Sequence, residues 1–85
     1  MQIKFHRKFQ KAFSKQPKSV QEKFKEKILE FSKDEFNYQL NNHALAGQYN
    51  TMRSINITGD VRVHYTKDAT QVILMNIGTH AQLYK

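Results

Sequence analysis

Two stretches decide the fold: Asp60-Val61-Arg62-Val63-His64-Tyr65 and Val72-Ile73-Leu74-Met75-Asn76-Ile77. In the first, Val61, Val63 and Tyr65 alternate with Asp60, Arg62 and His64, the period of a strand with one buried and one polar face. The second is apolar on both faces, which marks a central strand. Lys67-Asp68-Ala69 makes the turn between them. Upstream, Tyr49 to Ile57 reads as another strand, ending at Thr58-Gly59-Asp60, a tight turn in which Gly59 can take positive φ.

Before these strands the period changes. Gln2 to His6 alternates and predicts a short strand. From Arg7 onward Phe9, Ala12 and Phe13 share one helical face, while Lys8, Lys11 and Lys15 form a stripe on another. Pro17 ends that helix and suits the first turn of the next. Val20, Phe24, Ile28 and Phe31 then repeat at helical spacing to about Lys33. The two helices form a hairpin whose apolar faces need a sheet to cover them. Asp34 to Gly47 has no period, and Phe36, Tyr38, Leu40 and Leu45 read as anchors of a loop around the core. The expected architecture is α+β: an N-terminal helical hairpin on one face of a mainly antiparallel twisted sheet. Its order is β-α-α-β-β-β, with room for a short final strand.

At 85 residues the chain suits one domain, spanning 1–85, with one modest core. With no cysteine, disulfides and thiolate metal sites are excluded, and no histidine pair has zinc-site spacing, so neither metal nor cofactor is expected. No apolar stretch approaches the ~20 residues that span a bilayer, and the start lacks a signal-peptide core; a cytoplasmic protein with no membrane partner is the expectation. The net charge of +7 is lopsided. Residues 1–33 hold ten Lys/Arg against three Glu, and residues 34–85 balance at four against four. A basic block of this kind suits nucleic acid or an acidic protein partner, or serves only as a solvated surface.

The tail Gly78-Thr79-His80-Ala81-Gln82-Leu83-Tyr84-Lys85 puts a histidine and a tyrosine directly after the strongest strand signal. Asp60, Arg62 and His64 share a strand face, His43 lies in the irregular loop, and Arg53 lies in the first hairpin strand. Such a set suits cleavage of RNA by its own 2′-hydroxyl. That reaction needs a base for the 2′-OH proton, an acid for the 5′-oxygen and a cation for the phosphorane. Histidine can take either proton role, and the arginine fork matches phosphate oxygens. Tyr84 can stack on a base. Blander readings compete: His64 as an exposed strand residue, Asp60 as turn chemistry, Arg53 as a structural ion-pair partner, Leu83 as packing.

The runs Asn42-His43-Ala44-Leu45-Ala46-Gly47, Met52 to Tyr65 and Ile77-Gly78-Thr79-His80-Ala81-Gln82-Leu83-Tyr84 resemble the YafQ branch of the RelE/ParE toxin superfamily. The resemblance implies a type II toxin that enters the ribosomal A site, cuts mRNA without a metal, and is neutralised by a cognate antitoxin. It implies catalytic roles for His80, His43, Asp60 and Arg62. RNA contacts are expected from Tyr84, Arg53, His64 and the helix lysines Lys8, Lys11 and Lys15, the basic helices docking on rRNA. In this scheme His80 is general acid or base with His43 as its partner, Arg62 stabilises the phosphorane and Asp60 orients a histidine. The chain departs from the family where it carries Ser54 and Asn56 in place of an aspartate and a histidine. The competing classes are a ParE-like toxin that binds DNA gyrase and a non-catalytic member that only binds its partners.

Overall fold

The computed structural model describes residues 2–84. Its elements are β1 (Gln2–Phe5), α1 (Arg7–Ser14), α2 (Lys18–Lys33), β2 (His43–Ala44), β3 (Arg53–Asn56), β4 (Val61–Lys67), β5 (Gln71–Thr79) and α3 (His80–Leu83). The strands form one sheet in the order β1-β5-β4-β3-β2. All neighbours are antiparallel except β1, which lies parallel to β5. This is the expected α+β class. No helix of the described residues is long and apolar enough to cross a membrane.

Local chemistry sets the element ends. His6 caps α1, its Nδ1 accepting from the Lys8 amide at 3.0 Å. Pro17 immediately precedes α2, where its missing N–H costs nothing. The apolar stripes of both helices meet the sheet: Phe9, Phe24 and Phe31 are buried with Ile55, Val63, Tyr65, Val72 and Leu74. Each such large side chain contributes roughly 1.5–3 kcal/mol on burial. Phe31 meets the Tyr65 ring edge-on at 5.1 Å.

β5 holds the detail that shapes the site. Tyr65 pairs with Leu74 but His64 pairs with Asn76, so Met75 is an extra residue at a β-bulge. The bulge switches the alternation, and the inward residues of β5 are Val72, Leu74 and then Ile77. Asn76 and Gly78 thereby join His64 and Arg62 on the face away from the helices. The apolar run on "both faces" is thus one strand whose parity changes midway.

Three expectations are corrected. The tail after β5 is a helical turn rather than a short final strand: Thr79 Oγ1 accepts from the Gln82 amide while Gln82 Oε1 accepts from Thr79 N–H, a capping box that turns the chain. The strand expected from Tyr49 begins only at Arg53, because Gly47–Tyr49 forms a 3-10 turn that starts with Gly47 at φ 65°. Within the described residues, positive φ falls on Gly47 and Asn41 and not on Gly59; the β3–β4 turn is held instead by Thr58 Oγ1, which accepts from the Asp60 and Val61 amides.

Candidate active site

One row of residues crosses the open face of the sheet: His43, Ser54, His64 and Asn76 on four adjacent strands. A second row beside it holds Asn56, Arg62 and Gly78. The Gly47–Tyr49 turn and α3 flank these rows. Gly78 is where α3 folds closest: a Cβ there would meet Gln82 Oε1 at 2.8 Å and Gln82 Cβ at 3.0 Å. Tyr49 Oη donates to the Leu83 carbonyl at 3.4 Å, and Leu83 is buried, as expected of a packing residue.

His64 is not the exposed strand residue that alternation suggests. It is only 2 % exposed, because Tyr49 and Tyr84 cover it, with ring centroids 5.8 and 5.3 Å away. Its Nε2 lies 3.1 Å from Tyr84 Oη. Burial and then the nearby His43 hold its proton affinity below the usual histidine value, which favours the neutral ring. In this conformation the Tyr49 and Tyr84 rings stand between His64 and solvent.

The exposed histidines differ from it. His43 has Nδ1 at 2.9 Å from the Asn41 carbonyl. A carbonyl only accepts, so Nδ1 carries a proton, and in the neutral ring the lone pair lies on Nε2. Asn41 takes the left-handed conformation, φ 48°, that delivers this carbonyl. His80 opens α3, is exposed, and stacks against Tyr84 with ring centroids 4.6 Å apart. Its ring makes no hydrogen bond among the described residues.

Arg62 is half-buried beside the β3–β4 turn, and its Nη1 donates to the carbonyls of Thr58 and Gly59 at 3.0 and 2.9 Å. The guanidinium is therefore held at the end of the sheet that carries α3, since Val61 pairs with Thr79. Asp60 lies at that same end, exposed. Its carboxylate makes no ion pair and no bond to a histidine among the described residues, so the geometry leaves its expected orienting role unfilled.

Arg53 is on the other face. It pairs with Tyr65 and not with the His64 row, and its Nε donates to Asn42 Oδ1 at 2.7 Å with the guanidinium carbon 5.3 Å from the Phe36 ring centre. Asn42 in turn donates to Tyr65 Oη, and Tyr65 donates to Glu35, which also holds Lys67. This network ties the 34–45 loop to the sheet; Arg53 joins it through a hydrogen bond to a neutral amide and not, among the described residues, through the ion pair weighed for it.

Lys8, Lys11 and Lys15 do share a surface. They line a cleft of about 380 Å³ between α1 and α3, with Asn76, Gln82 and Tyr49 among its other walls. Tyr49, Asn76 and Gln82 escaped the sequence reading. Gln82 had a signal in the Thr79-x-x-Gln82 capping pattern; the other two reach the site through a turn and a bulge that leave no periodic trace.

A family model described as "Bacterial toxin of type II toxin-antitoxin system, YafQ" matches residues 1–85. Among solved structures, a copper-bound mutant toxin from Helicobacter pylori is 28% identical, with a TM-score of 0.78 over 99% of each chain. YafQ from E. coli strain BL21(DE3) superposes with a TM-score of 0.84 at 17% identity, over 98% of this chain and 97% of that one. The E. coli DinJ-YafQ complex contributes a chain at TM-score 0.73 and 17% identity, over 98% and 97%. A search of curated proteins finds no match. With its whole length matched by the family model, the chain belongs to the YafQ family of bacterial toxins from type II toxin–antitoxin systems.

Proposed function

We propose that this toxin is a ribosome-dependent mRNA endoribonuclease that cuts in the A site, with RNA cleavage driven by the substrate's own 2′-hydroxyl. The observation that carries the reading is the pair of exposed imidazoles bordering an open sheet face, His43 on β2 with its Nδ1–H anchored and His80 at the start of α3 with no hydrogen bond among the described residues, Arg62 being held at the end of that face nearest α3. His43 Nε2 takes the 2′-OH proton. The 2′-oxygen attacks phosphorus, and His80 protonates the departing 5′-oxygen, leaving a 2′,3′-cyclic phosphate and a 5′-hydroxyl. Arg62 offers its remaining N–H groups to the phosphorane. Side chains supply both proton transfers and the charge, so the scheme needs no metal. Tyr84 stacks on a base beside His80, Asp60 supports a charged His80 from the same end of the sheet, and the helix lysines hold RNA backbone.

A cognate antitoxin is the expected inhibitor, as the E. coli YafQ and Mycobacterium tuberculosis RelE-type chains are seen with theirs; the +7 charge calls for an acidic partner. The deciding assay is translation-coupled cleavage of a reporter mRNA by the wild type and His80→Ala. Loss of about 10²-fold or more in the variant is expected, the size of one proton-transfer group. Equal cleavage and equal growth arrest at equal expression would remove His80 from the mechanism, and arrest of DNA supercoiling without cleavage would place the toxin in the gyrase-binding class.

A further inference from the structure

The cleft between α1 and α3 is chemically one-sided. Lys8, Lys11 and Lys15 line it, and none of the three ion pairs among the described residues involves them. Its amides are turned the same way. Asn76 Oδ1 accepts from the Ile77 amide at 3.0 Å. Gln82 Oε1 accepts from Thr79 N–H at 2.9 Å and from Gln16 Nε2 at 3.3 Å. With those carbonyl oxygens taken by protein donors, the NH2 groups of Asn76 and Gln82 are left as donors without a protein partner among the described residues. Three ammonium groups and two free amide donors ask for a ligand rich in acceptors and negative charge.

The remaining walls are Ala12, Ile77, Leu83 and the Tyr49 ring, with Gln16, whose NH2 is spent on Gln82, as the one other polar side chain. A volume of about 380 Å³ lies at the lower end of small-molecule sites, larger than a phosphate needs and fit for one nucleotide. The cleft is also continuous with the proposed active face. Tyr49 forms its wall and packs edge-on against Tyr84 at 5.2 Å, and Gln82 and Leu83 belong to the helical turn that begins with His80.

We infer that this cleft is a nucleotide subsite, which takes one nucleotide of the RNA strand next to the cut. The phosphate sits among Lys8, Lys11 and Lys15, and the base lies along Tyr49, where the NH2 groups of Asn76 and Gln82 donate to its carbonyl and ring-nitrogen acceptors. The subsite rests on the RNA-cleaving reading for its purpose, but its occupancy is measured without cleavage.

The test is titration of the full chain with AMP, GMP, CMP and UMP, followed by NMR at the Asn76 and Gln82 side-chain NH2 signals. Inorganic phosphate and a poly-glutamate peptide are the comparison probes. At least one nucleotide should shift both NH2 signals saturably at or below millimolar concentration. Lys11→Ala should weaken it about tenfold, and added salt should weaken it further. Asn76→Ala should alter which nucleotides bind and leave the fold intact. Three outcomes overturn the inference: no saturable shift with any nucleotide, phosphate binding as tightly as the nucleotides, or poly-glutamate occupying the cleft while nucleotides do not. Saturable nucleotide binding by a protein that cuts no mRNA would retain the subsite and reject the endoribonuclease reading. Cleavage without nucleotide binding would do the reverse.

Discussion

Replacing Tyr84 by Phe removes one oxygen and leaves the ring. That oxygen is 3.1 Å from His64 Nε2, and His64 is 2 % exposed while Tyr84 is 37 % exposed. The asymmetry sets the cost. The hydrogen bond itself is worth about 1 kcal/mol net, and stranding a buried ring nitrogen adds to that, for roughly 1–2 kcal/mol in total. In a domain of this size each kcal/mol moves the melting temperature by about 4–8 °C, so Tyr84→Phe should melt roughly 5–15 °C lower. His64→Leu should cost less. It strands only the Tyr84 hydroxyl, which can turn to water, and fills the space under Tyr49 with apolar atoms. Combining the two substitutions should recover about 1 kcal/mol of the Tyr84→Phe loss, since the stranded partner is gone. Urea unfolding of the four proteins near pH 7.5, followed by circular dichroism, measures the cycle. If Tyr84→Phe lies within 0.3 kcal/mol of the wild type, a difference that counts as additive error, or if the two losses simply add, then His64 does not hold the tail and the reasoning fails. Because the Phe ring can still stack on His80, mRNA cleavage by Tyr84→Phe should stay within a few-fold of wild type.

Gly78→Ala drives a methyl group to 2.8 Å from Gln82 Oε1; it should disrupt the capping box, cost about 1 kcal/mol, and speed amide exchange of Gln82 and Tyr84 while the sheet stays protected. Acid should destabilise the fold in two stages. His64 binds its proton less readily folded than unfolded, so stability fully present above about pH 6.5 is lost as pH falls through the lowered folded value, and His64→Leu should flatten that part of a urea-midpoint-versus-pH curve. Glu35 follows below pH 4.5: burial raises its affinity for a proton, but hydrogen bonds from Lys67 and Tyr65 outweigh this, and its contribution disappears as the carboxylate protonates. Arg53→Ala should lower thermal stability by roughly 1–2 kcal/mol through the loss of the Asn42 bond and leave reporter cleavage at wild-type rate; a selective loss of cleavage would return Arg53 to the RNA-contacting set.

The parts of the fold that the sequence announces are those governed by local period. The β4 alternation, the phenylalanine spacing of the helices and the Pro17 break all depend on neighbours within a few residues, and each stands where expected. The parts that were hidden depend on distant partners. Parallel pairing of β1 with β5 joins Gln2 to Gln71, and no local pattern records it. The Met75 bulge exists because His64 and Tyr65 face Asn76 and Leu74 across the ladder, which only the partner strand defines. The exposed reading of His64 fails because alternation tells which face a residue occupies, not whether a remote Tyr49 and Tyr84 will cover it. Arg53 shows the converse: its one-residue offset from Ser54 sends it to the opposite face, where Asn42 and Phe36 already claim its guanidinium.

The same geometry argues for a division of labour between the histidines. Ser54 and Asn56 stand where the resemblance implies an aspartate and a histidine, so neither can take a proton at neutral pH. Ser54 is buried between His43 and His64, and Asn56 Oδ1 is buried without a partner among the described residues. In the proposed reaction, proton transfer then falls to side chains at the borders of the face. His43 is anchored: its Nδ1–H is spent on a carbonyl, and its remaining lone pair has one direction, which suits a base that must start neutral and find a hydroxyl. His80 is held by its backbone at the first position of α3 and by packing on Tyr84, and among the described residues neither ring nitrogen is hydrogen-bonded. A proton donated from either nitrogen breaks no hydrogen bond seen among the described residues, and Asp60 lies exposed at the same end of the sheet. In the proposed reaction this contrast gives the base role to the histidine with the anchored Nδ1–H and the acid role to the one whose ring is unbonded among the described residues.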